Sequence, residues 1–141
     1  MKKIFTLSLV GIVTSLLFTS CYKQGIAFDE GYWLSQERAD VVYSDPNCSY
    51  IVVETNYGYT IIRLFGSGRP YEGDALYGAF GRYGTRDFYN FSGRFVFTAQ
   101  VTDYDLSYAN AQYAIEYYCP FAKGHQIKQS GSDVQKATRA K

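Results

Sequence analysis

Short stretches of alternating apolar and polar residues, separated by glycine-rich turns, run through the middle of this 141-residue chain. In the clearest stretch, residues 94–102, every second residue is apolar: Phe95, Phe97, Ala99 and Val101. Because successive side chains of a strand point to opposite faces, this pattern predicts a β-strand with one buried face. Residues 49–55 and 59–65, on either side of the turn at 56–58, predict a β-hairpin. The chain is therefore predicted to be mainly β.

Six of the 13 glycines fall between residues 66 and 84, inside sequence of otherwise β character. Glycine at this density favours bulges, sharp bends and close approach of backbones, which allow a small sheet to curl and close. Weaker strand patterns occur at residues 40–44, 73–80 and 86–90. Together with the clearer stretches, they lead us to expect about five strands.

The pattern changes from strand to helix near residue 107. Ser107 is a suitable N-cap, Ala111 and Ile115 follow at helical spacing, and Pro120 can end the element. This predicts a helix over 107–118, although residues 113–119 also fit a closing strand. The fold class that follows is a small antiparallel β-barrel, OB-like or SH3-like, with one C-terminal helix. A general α+β sheet with one covering helix is the alternative.

The N-terminus has the form of a secretion signal. Lys2 and Lys3 precede an apolar run at residues 4–18, which is shorter than the roughly 20 residues that a membrane-spanning helix needs. The run ends in Leu-Phe-Thr-Ser-Cys at residues 17–21, which resembles the lipobox of bacterial lipoproteins. The resemblance implies that residues 1–20 are removed as a signal peptide and that Cys21 becomes the lipidated N-terminus. The alternative is ordinary secretion, with cleavage near Ser20 and Cys21 as a spare thiol. Two or three acyl chains there give stable anchoring to a membrane.

Charge is unevenly distributed along a chain whose net charge is only +1. Residues 22–122 carry seven basic and 12 acidic residues, a net charge of −5, whereas residues 123–141 carry five basic residues and one acidic residue, a net charge of +4. The latter segment has no aromatic residue and too little apolar surface to fold. We therefore expect a lipid-anchored tether at residues 21–31, a barrel-like domain at 32–122 and a flexible basic tail at 123–141. The near-neutral total gives no indication of a nucleic-acid partner.

Between residues 48 and 119 the chain has a strand after a cysteine, an Asn-Tyr-Gly turn, a Gly-Asp strand and a late helix ending in a second cysteine. This order loosely resembles short uncharacterised lipoproteins of the Bacteroidota, and the resemblance implies no established activity. Surface-exported members of that group carry an acidic run after the lipidated cysteine, and none follows Cys21 here. The expected location is therefore the cell envelope, on the periplasm-facing side of the outer membrane.

Two further cysteines, Cys48 and Cys119, enclose almost the whole predicted core. Because a secreted chain meets an oxidising environment, we predict a disulfide between them, which stabilises the fold by about 4 kcal/mol on chain-entropy grounds. A reactive thiol pair or a metal site is the alternative. The wide cysteine spacing and the single histidine, His125 in the tail, argue against it. We expect no metal and no cofactor.

Tyrosine is the residue type abundant enough to suggest a function, with 15 Tyr beside 10 Phe and one Trp. A barrel of about 100 residues cannot enclose so many rings, so some must line its surface, where they offer flat apolar faces with a hydrogen-bonding tip. The candidate binding residues lie in the turns and strands of the glycine-rich half: Tyr57, Tyr59, Tyr71, Tyr77, Tyr83 and Tyr89. For each ring, a cross-strand pair that simply covers the sheet is the alternative.

The predicted function is thus a binding or structural role in the envelope, with a glycan, a peptide or a protein as partner, and no catalysis. The alternative is an envelope hydrolase that uses two facing carboxylates. Six acidic residues of the predicted domain are candidates for such a pair: Glu54, Glu72, Asp74, Asp87, Asp103 and Asp105. Within this set, residues 103–105 come nearest to a cation-binding motif, and a strand-to-helix turn that uses Asp as a cap explains them at least as well.

Overall fold

The computed structural model describes residues 28–122, 124 and 126–129. The predicted signal peptide at residues 1–20, the lipidation site Cys21, His125 and most of the predicted tail lie outside the described residues. The elements follow in the order α1 (Glu30–Leu34), β1 (Glu37–Ser44), β2 (Tyr50–Thr55), β3 (Gly58–Leu64), β4 (Ala75–Gly78), β5 (Gly84–Asn90), β6 (Phe95–Leu106), α2 (Tyr108–Tyr118) and a 3₁₀ turn (Pro120–Ala122). Neither described helix has the length and apolar character that a membrane crossing requires.

The strands form one closed antiparallel barrel in the order β1-β2-β3-β6-β5-β4, with β4 pairing back onto β1. Strands β4-β1-β2-β3 have the Greek-key arrangement, since the connection at residues 65–74 returns the chain to lie beside β1. The prediction of a small antiparallel β-barrel with one C-terminal helix is confirmed. The described barrel has six strands where about five were expected.

The barrel interior is filled by the apolar residues that alternate along the strands. In β6, Phe97, Ala99 and Val101 are buried while Thr98 is exposed, as the alternation predicted. The interior core consists of Ala39, Val41, Ile51, Val53, Ile62, Leu64, Leu76, Phe80, Phe88, Phe97, Ala99 and Val101. At about 1.5–3 kcal/mol for each large side chain buried, this core is the main source of stability of the barrel.

A second core lies outside the barrel, under helix α2. Val52 and Ile61 point outward from β2 and β3, and they pack against Ala111 and Ile115 of the helix. Strands β2 and β3 are therefore buried on both faces, which explains their nearly continuous apolar sequence. On the outer face of β3, Arg63 near the C-terminal end of the strand is the residue exposed to solvent.

The predicted disulfide between Cys48 and Cys119 is present, with the two Cα atoms 5.7 Å apart. It ties the β1–β2 loop to the end of α2 across 71 residues of chain. The amide of Cys119 also donates to the carbonyl of Ile115 at 2.8 Å, which ends the helix at its C-cap. The outer core is thereby closed at this end by a covalent bond.

Residues 103–105 do not form the strand-to-helix turn that the sequence suggested. They belong to β6, which continues to Leu106. Asp105 adopts a positive φ of 54° where the pairing with β3 is irregular, so a bulge absorbs the extra length. The turn before α2 is the single residue Ser107, whose hydroxyl accepts from the amide of Asn110 at 3.3 Å, as expected of an N-cap. Gly58 is required beside this bulge: its φ is +134°, and a Cβ there would lie 2.6 Å from the carbonyl oxygen of Leu106.

Residues 126–129 also differ from the sequence-based prediction, which placed them in a flexible tail. Ile127 is buried in the outer core, its amide donates to Gln112 Oε1 at 3.0 Å, and its carbonyl accepts from the Tyr108 hydroxyl at 3.2 Å. The amide of Lys128 donates to the carbonyl of Val42 at 3.1 Å, beside an irregularity in the β1–β2 pairing. One isoleucine and a free carbonyl are thus enough to fix a short segment whose composition is otherwise polar.

Candidate functional site

The six candidate tyrosines fall into two groups. Tyr57, Tyr71 and Tyr83 are exposed and Tyr77 is half-buried, whereas Tyr59 and Tyr89 are buried. Tyr59 lies in the outer core with its ring edge-on to Tyr108. Two of the six therefore cannot offer a ring face at the surface, contrary to the sequence-based prediction.

The four accessible tyrosines do not form one platform. Tyr83 packs edge-on against Tyr104 with the ring centroids 4.7 Å apart, and Tyr77 packs against Phe91 at 6.0 Å. Tyr57 lies in the β2–β3 turn, and Tyr71 lies in the β3–β4 connection at the opposite end of the antiparallel barrel. These rings match the cross-strand and turn packing that was the alternative.

A more suitable site lies between helix α1 and the β4–β5 hairpin. This cleft, called the α1 cleft below, has a volume of about 480 Å³. It is lined by Tyr32, Trp33, Gln36, Gly78, Ala79, Arg82, Arg86 and Asp87. The volume lies within the range of about 300–1,000 Å³ that is usual for ligand sites. None of its lining residues was among the predicted binding residues.

Helix α1 is short and is defined by its caps. The Asp29 carboxylate accepts from the amide of Tyr32 at 3.1 Å at the N-terminus. At the C-terminus the Ser35 hydroxyl donates to the carbonyl of Tyr32 at 2.7 Å. A helix of five residues with no buried side chain is not stable alone, so its position depends on contacts with the barrel.

Tyr89, on β5, provides those contacts. Its hydroxyl donates to Glu30 Oε1 at 2.9 Å, and the same oxygen accepts from Arg94 at 3.2 Å. The Tyr89 ring also packs against Phe28 at 4.9 Å and Trp33 at 6.1 Å. Burial and the hydrogen bond to Glu30 raise the pKa of Tyr89. The predicted binding residue Tyr89 is therefore a positioning residue, which holds Trp33 at the edge of the cleft.

Two guanidinium groups line the opposite wall. Arg86 donates to the carbonyl of Tyr83 at 2.6 Å, and its buried Nε has no hydrogen-bond partner. Burial, with the nearby charge of Arg82, lowers the pKa of Arg86. In the described part of the chain, neither arginine forms an ion pair. The cleft therefore holds two guanidinium groups against one carboxylate, Asp87, so its lining is net positive, and a bound anion would relieve the repulsion between the two cations.

The remaining walls supply acceptors and space. Asp87 lines the cleft and accepts from the Thr98 hydroxyl at 2.5 Å across the β5–β6 pair. Gly78 must lack a side chain, because a Cβ there would overlap the ring of Phe88. The rings of Tyr32 and Trp33 meet nearly at right angles, 5.4 Å apart, and form an apolar corner. The combination can hold a molecule with a flat apolar face, hydroxyl groups and a negative charge.

The predicted candidate carboxylates are mostly engaged in structural contacts. Asp74 accepts from the Asn90 amide at 2.7 Å, Asp103 accepts from the Tyr118 hydroxyl at 2.9 Å, and Glu72 pairs with Lys128 at 2.6 Å.

A carboxyl missed by sequence reasoning, Glu37, has its pKa raised by burial, with a smaller contribution from the charge of Asp105. Among the described residues, no three His, Cys, Asp or Glu side chains form a group that could hold a metal ion.

Comparison with protein-family models, with curated proteins and with solved structures gives no match to this chain. Its function must therefore be inferred from its own residues and geometry.

Proposed function

We propose that this chain is a lipid-anchored binding protein of the bacterial cell envelope that holds an acidic saccharide in the α1 cleft. The observation that carries the proposal is the pairing of Arg82 and Arg86 with the aromatic corner of Tyr32 and Trp33 around one cleft. The lipobox-like segment at residues 17–21 supports the anchor on Cys21 and hence the envelope location.

Each part of the cleft matches one part of such a ligand. A sugar ring has a face of C–H groups that stacks on an aromatic side chain, which Trp33 and Tyr32 supply. A sugar carboxylate is bound by guanidinium donors, and Arg82 and Arg86 lie without an acidic ion-pair partner among the described residues. Asp87 and Gln36 add hydrogen-bonding groups for hydroxyls. Short saccharides of this kind bind weakly, so we expect micromolar to millimolar affinity.

The test is calorimetric titration of the full chain with a galacturonate trisaccharide and with the neutral galactose trisaccharide. The acidic ligand is expected to bind more tightly. Arg82→Gln should weaken binding of the acidic trisaccharide about tenfold, which corresponds to about 1.4 kcal/mol of binding free energy. It should leave binding of the neutral trisaccharide nearly unchanged. Trp33→Ala should weaken binding of both trisaccharides, because it removes an aromatic face on which either sugar would stack.

Matched controls are Arg63→Gln and Tyr57→Ala, which remove an exposed arginine and an exposed tyrosine outside the α1 cleft. Neither should change the affinity. Equal affinity for the two trisaccharides, or full binding by Trp33→Ala, would contradict the proposal.

The alternative, a hydrolase that uses two carboxylates, is favoured by Glu37, whose pKa is raised by burial and, to a smaller extent, by the charge of Asp105. A carboxyl with a raised pKa is suited to act as a general acid. Chromatography of the saccharide after prolonged incubation separates the two functions, since a binding protein leaves its chain length unchanged. Shortened products that disappear in Glu37→Gln would favour the hydrolase.

A further inference from the structure

Exposed aromatic side chains form one patch at helix α1. Phe28 is 54% exposed, Tyr32 is 57% exposed, and Phe91, in the β5–β6 turn, is 36% exposed. The Tyr89 ring contacts Phe28 at 4.9 Å and Phe91 at 6.4 Å. It also contacts Trp33, whose ring lies 5.4 Å from that of Tyr32. The three exposed rings, called the aromatic rim below, are therefore contiguous, and such a patch is typical of a surface that binds a partner or a membrane.

The aromatic rim lies where the described domain begins. Phe28 is seven residues after Cys21, the lipidation site proposed above. A chain spans at most about 3.6 Å per residue, so Phe28 lies no more than about 25 Å from the membrane that holds the lipid. A compact domain of about 100 residues is about 30 Å across. The chain between anchor and domain is therefore too short for the bilayer to lie against the side opposite Phe28.

That opposite side is the one covered by α2. Helix α2 packs on β2 and β3, whereas α1 contacts β4, which lies across the ring from β3 in the six-strand order. Exposed rings of α2, such as Tyr113, are thus beyond the reach of an anchored bilayer. The aromatic rim is within its reach.

The chemistry of the aromatic rim fits the interface of a bilayer. Tyrosine and tryptophan are enriched at the level of the lipid headgroups, where an apolar ring and a polar tip each find a suitable environment. The neighbouring cation Arg94 lies over the Phe91 ring at 5.2 Å and pairs with Glu30 at 3.2 Å. Because that charge is already paired, the contact is expected to depend on the rings and not on the charge of the lipids.

We propose that the aromatic rim rests on the surface of the bilayer in which Cys21 is anchored. This proposal rests on the lipid anchor of the proposed function and not on its saccharide ligand. Because Tyr32 of the rim and the adjoining Trp33 line the α1 cleft, the cleft then opens next to the membrane surface. A ligand of the cleft is accordingly bound close to the lipid headgroups.

The test uses Trp33, the single tryptophan of the chain, as the probe. The full chain is purified from membranes and reconstituted into two kinds of phosphatidylcholine vesicle, one with bromine atoms on the acyl chains close to the headgroups and one without. Bromine quenches tryptophan at short range, so we expect Trp33 fluorescence to be about twofold lower in the brominated vesicles. Equal fluorescence would overturn the proposal, including the case in which a second copy covers the aromatic rim. A chain that does not float with the vesicles would overturn the lipid anchor as well, so the two failures are distinguishable.

A relocated tryptophan is the matched control. Trp33→Phe with Tyr113→Trp moves the probe to α2, where its fluorescence should be the same in both kinds of vesicle. Phe91→Ser, which removes one ring of the aromatic rim, should reduce the quenching of Trp33, whereas Tyr113→Ser should leave it unchanged. Quenching at both probe positions, or quenching of Trp33 that Phe91→Ser does not reduce, would overturn the proposal.

Discussion

The two helices are attached to opposite sides of the barrel by different kinds of contact. Helix α1 buries none of its residues and is held by the Tyr89 hydroxyl, Glu30 and a few ring contacts. Helix α2 buries Ala111 and Ile115 and is linked to the β1–β2 loop through Cys119. Apolar burial and covalent closure contribute several kcal/mol, whereas one hydrogen bond contributes about 1 kcal/mol.

This difference means that the α2 side contributes more to the stability of the fold than the α1 side does. The α2 side is part of the cooperative fold, since its helix is joined to the barrel by buried apolar side chains and a disulfide. The α1 side is held by few contacts, so its local opening is expected to cost less free energy than opening of the α2 side. Three predictions test this division, in order of decreasing effect.

The largest effect is expected from removal of the disulfide. Replacing both cysteines, Cys48→Ala with Cys119→Ala, should lower the free energy of unfolding by about 4 kcal/mol, because the bond closes a loop of 71 residues in the unfolded chain. Urea denaturation followed by circular dichroism measures this loss. Saccharide affinity of the folded fraction should remain, since the α1 cleft is on the other side. A loss below about 1 kcal/mol would show that α2 does not depend on the covalent closure.

An intermediate effect is expected from alkaline pH on the α2 side. Burial, with smaller contributions from the charges of Asp45 and Glu72, raises the pKa of Tyr43 in the outer core to about 12. The folded chain therefore keeps this proton more tightly than the unfolded chain, whose tyrosine has a pKa of about 10. Stability is fully present below pH about 10 and is lost as pH rises towards about 12, by about 3 kcal/mol at 1.4 kcal/mol per pKa unit.

Denaturation curves at a series of alkaline pH values measure this loss of unfolding free energy with rising pH. Tyr43→Phe should flatten it, while Tyr57→Phe, at an exposed turn, should leave it unchanged. An identical pH dependence in wild type and Tyr43→Phe would exclude Tyr43 as the titrating group.

The smallest global effect is expected from Tyr89→Phe on the α1 side. The substitution keeps the ring contacts and removes the hydrogen bond to Glu30, so stability should fall by about 1 kcal/mol. Amide hydrogen exchange should accelerate in α1 and not in α2, and saccharide binding should weaken because Trp33 is no longer held in place. Tyr77→Phe is the control. Unchanged exchange in α1 would mean that ring packing alone positions this helix.

Local sequence signals predicted several elements of the barrel correctly. The alternation at residues 94–102, the turn at 56–58 and the N-cap Ser107 each depend on residues close together in the chain, so they could be interpreted without tertiary information. The disulfide was predictable because Cys48 and Cys119 enclose the core of a chain that was expected to be secreted.

The candidate site was not predictable in the same way. Tyr57 and Tyr59 are two residues apart in one hairpin, yet Tyr57 lies exposed in the turn, whereas Tyr59 lies on β3 and is buried against Tyr108 of α2. Trp33 and Arg82 meet at one cleft although 49 positions separate them in the chain. Their approach depends on the contact between Glu30 and Tyr89, for which the sequence carries no local signal.

The amino-acid sequence by itself determined the β character, the hairpin, the late helix and the cysteine pair, since periodicity, capping and disulfide formation act through residue type and short-range spacing. Only the tertiary structure decided that the barrel has six strands with β4 paired to β1, that Ile127 returns to the outer core and that the α1 cleft and helix α2 lie on opposite sides. The physical reason is that burial and register are properties of the whole sheet: each strand selects its buried face according to what covers it.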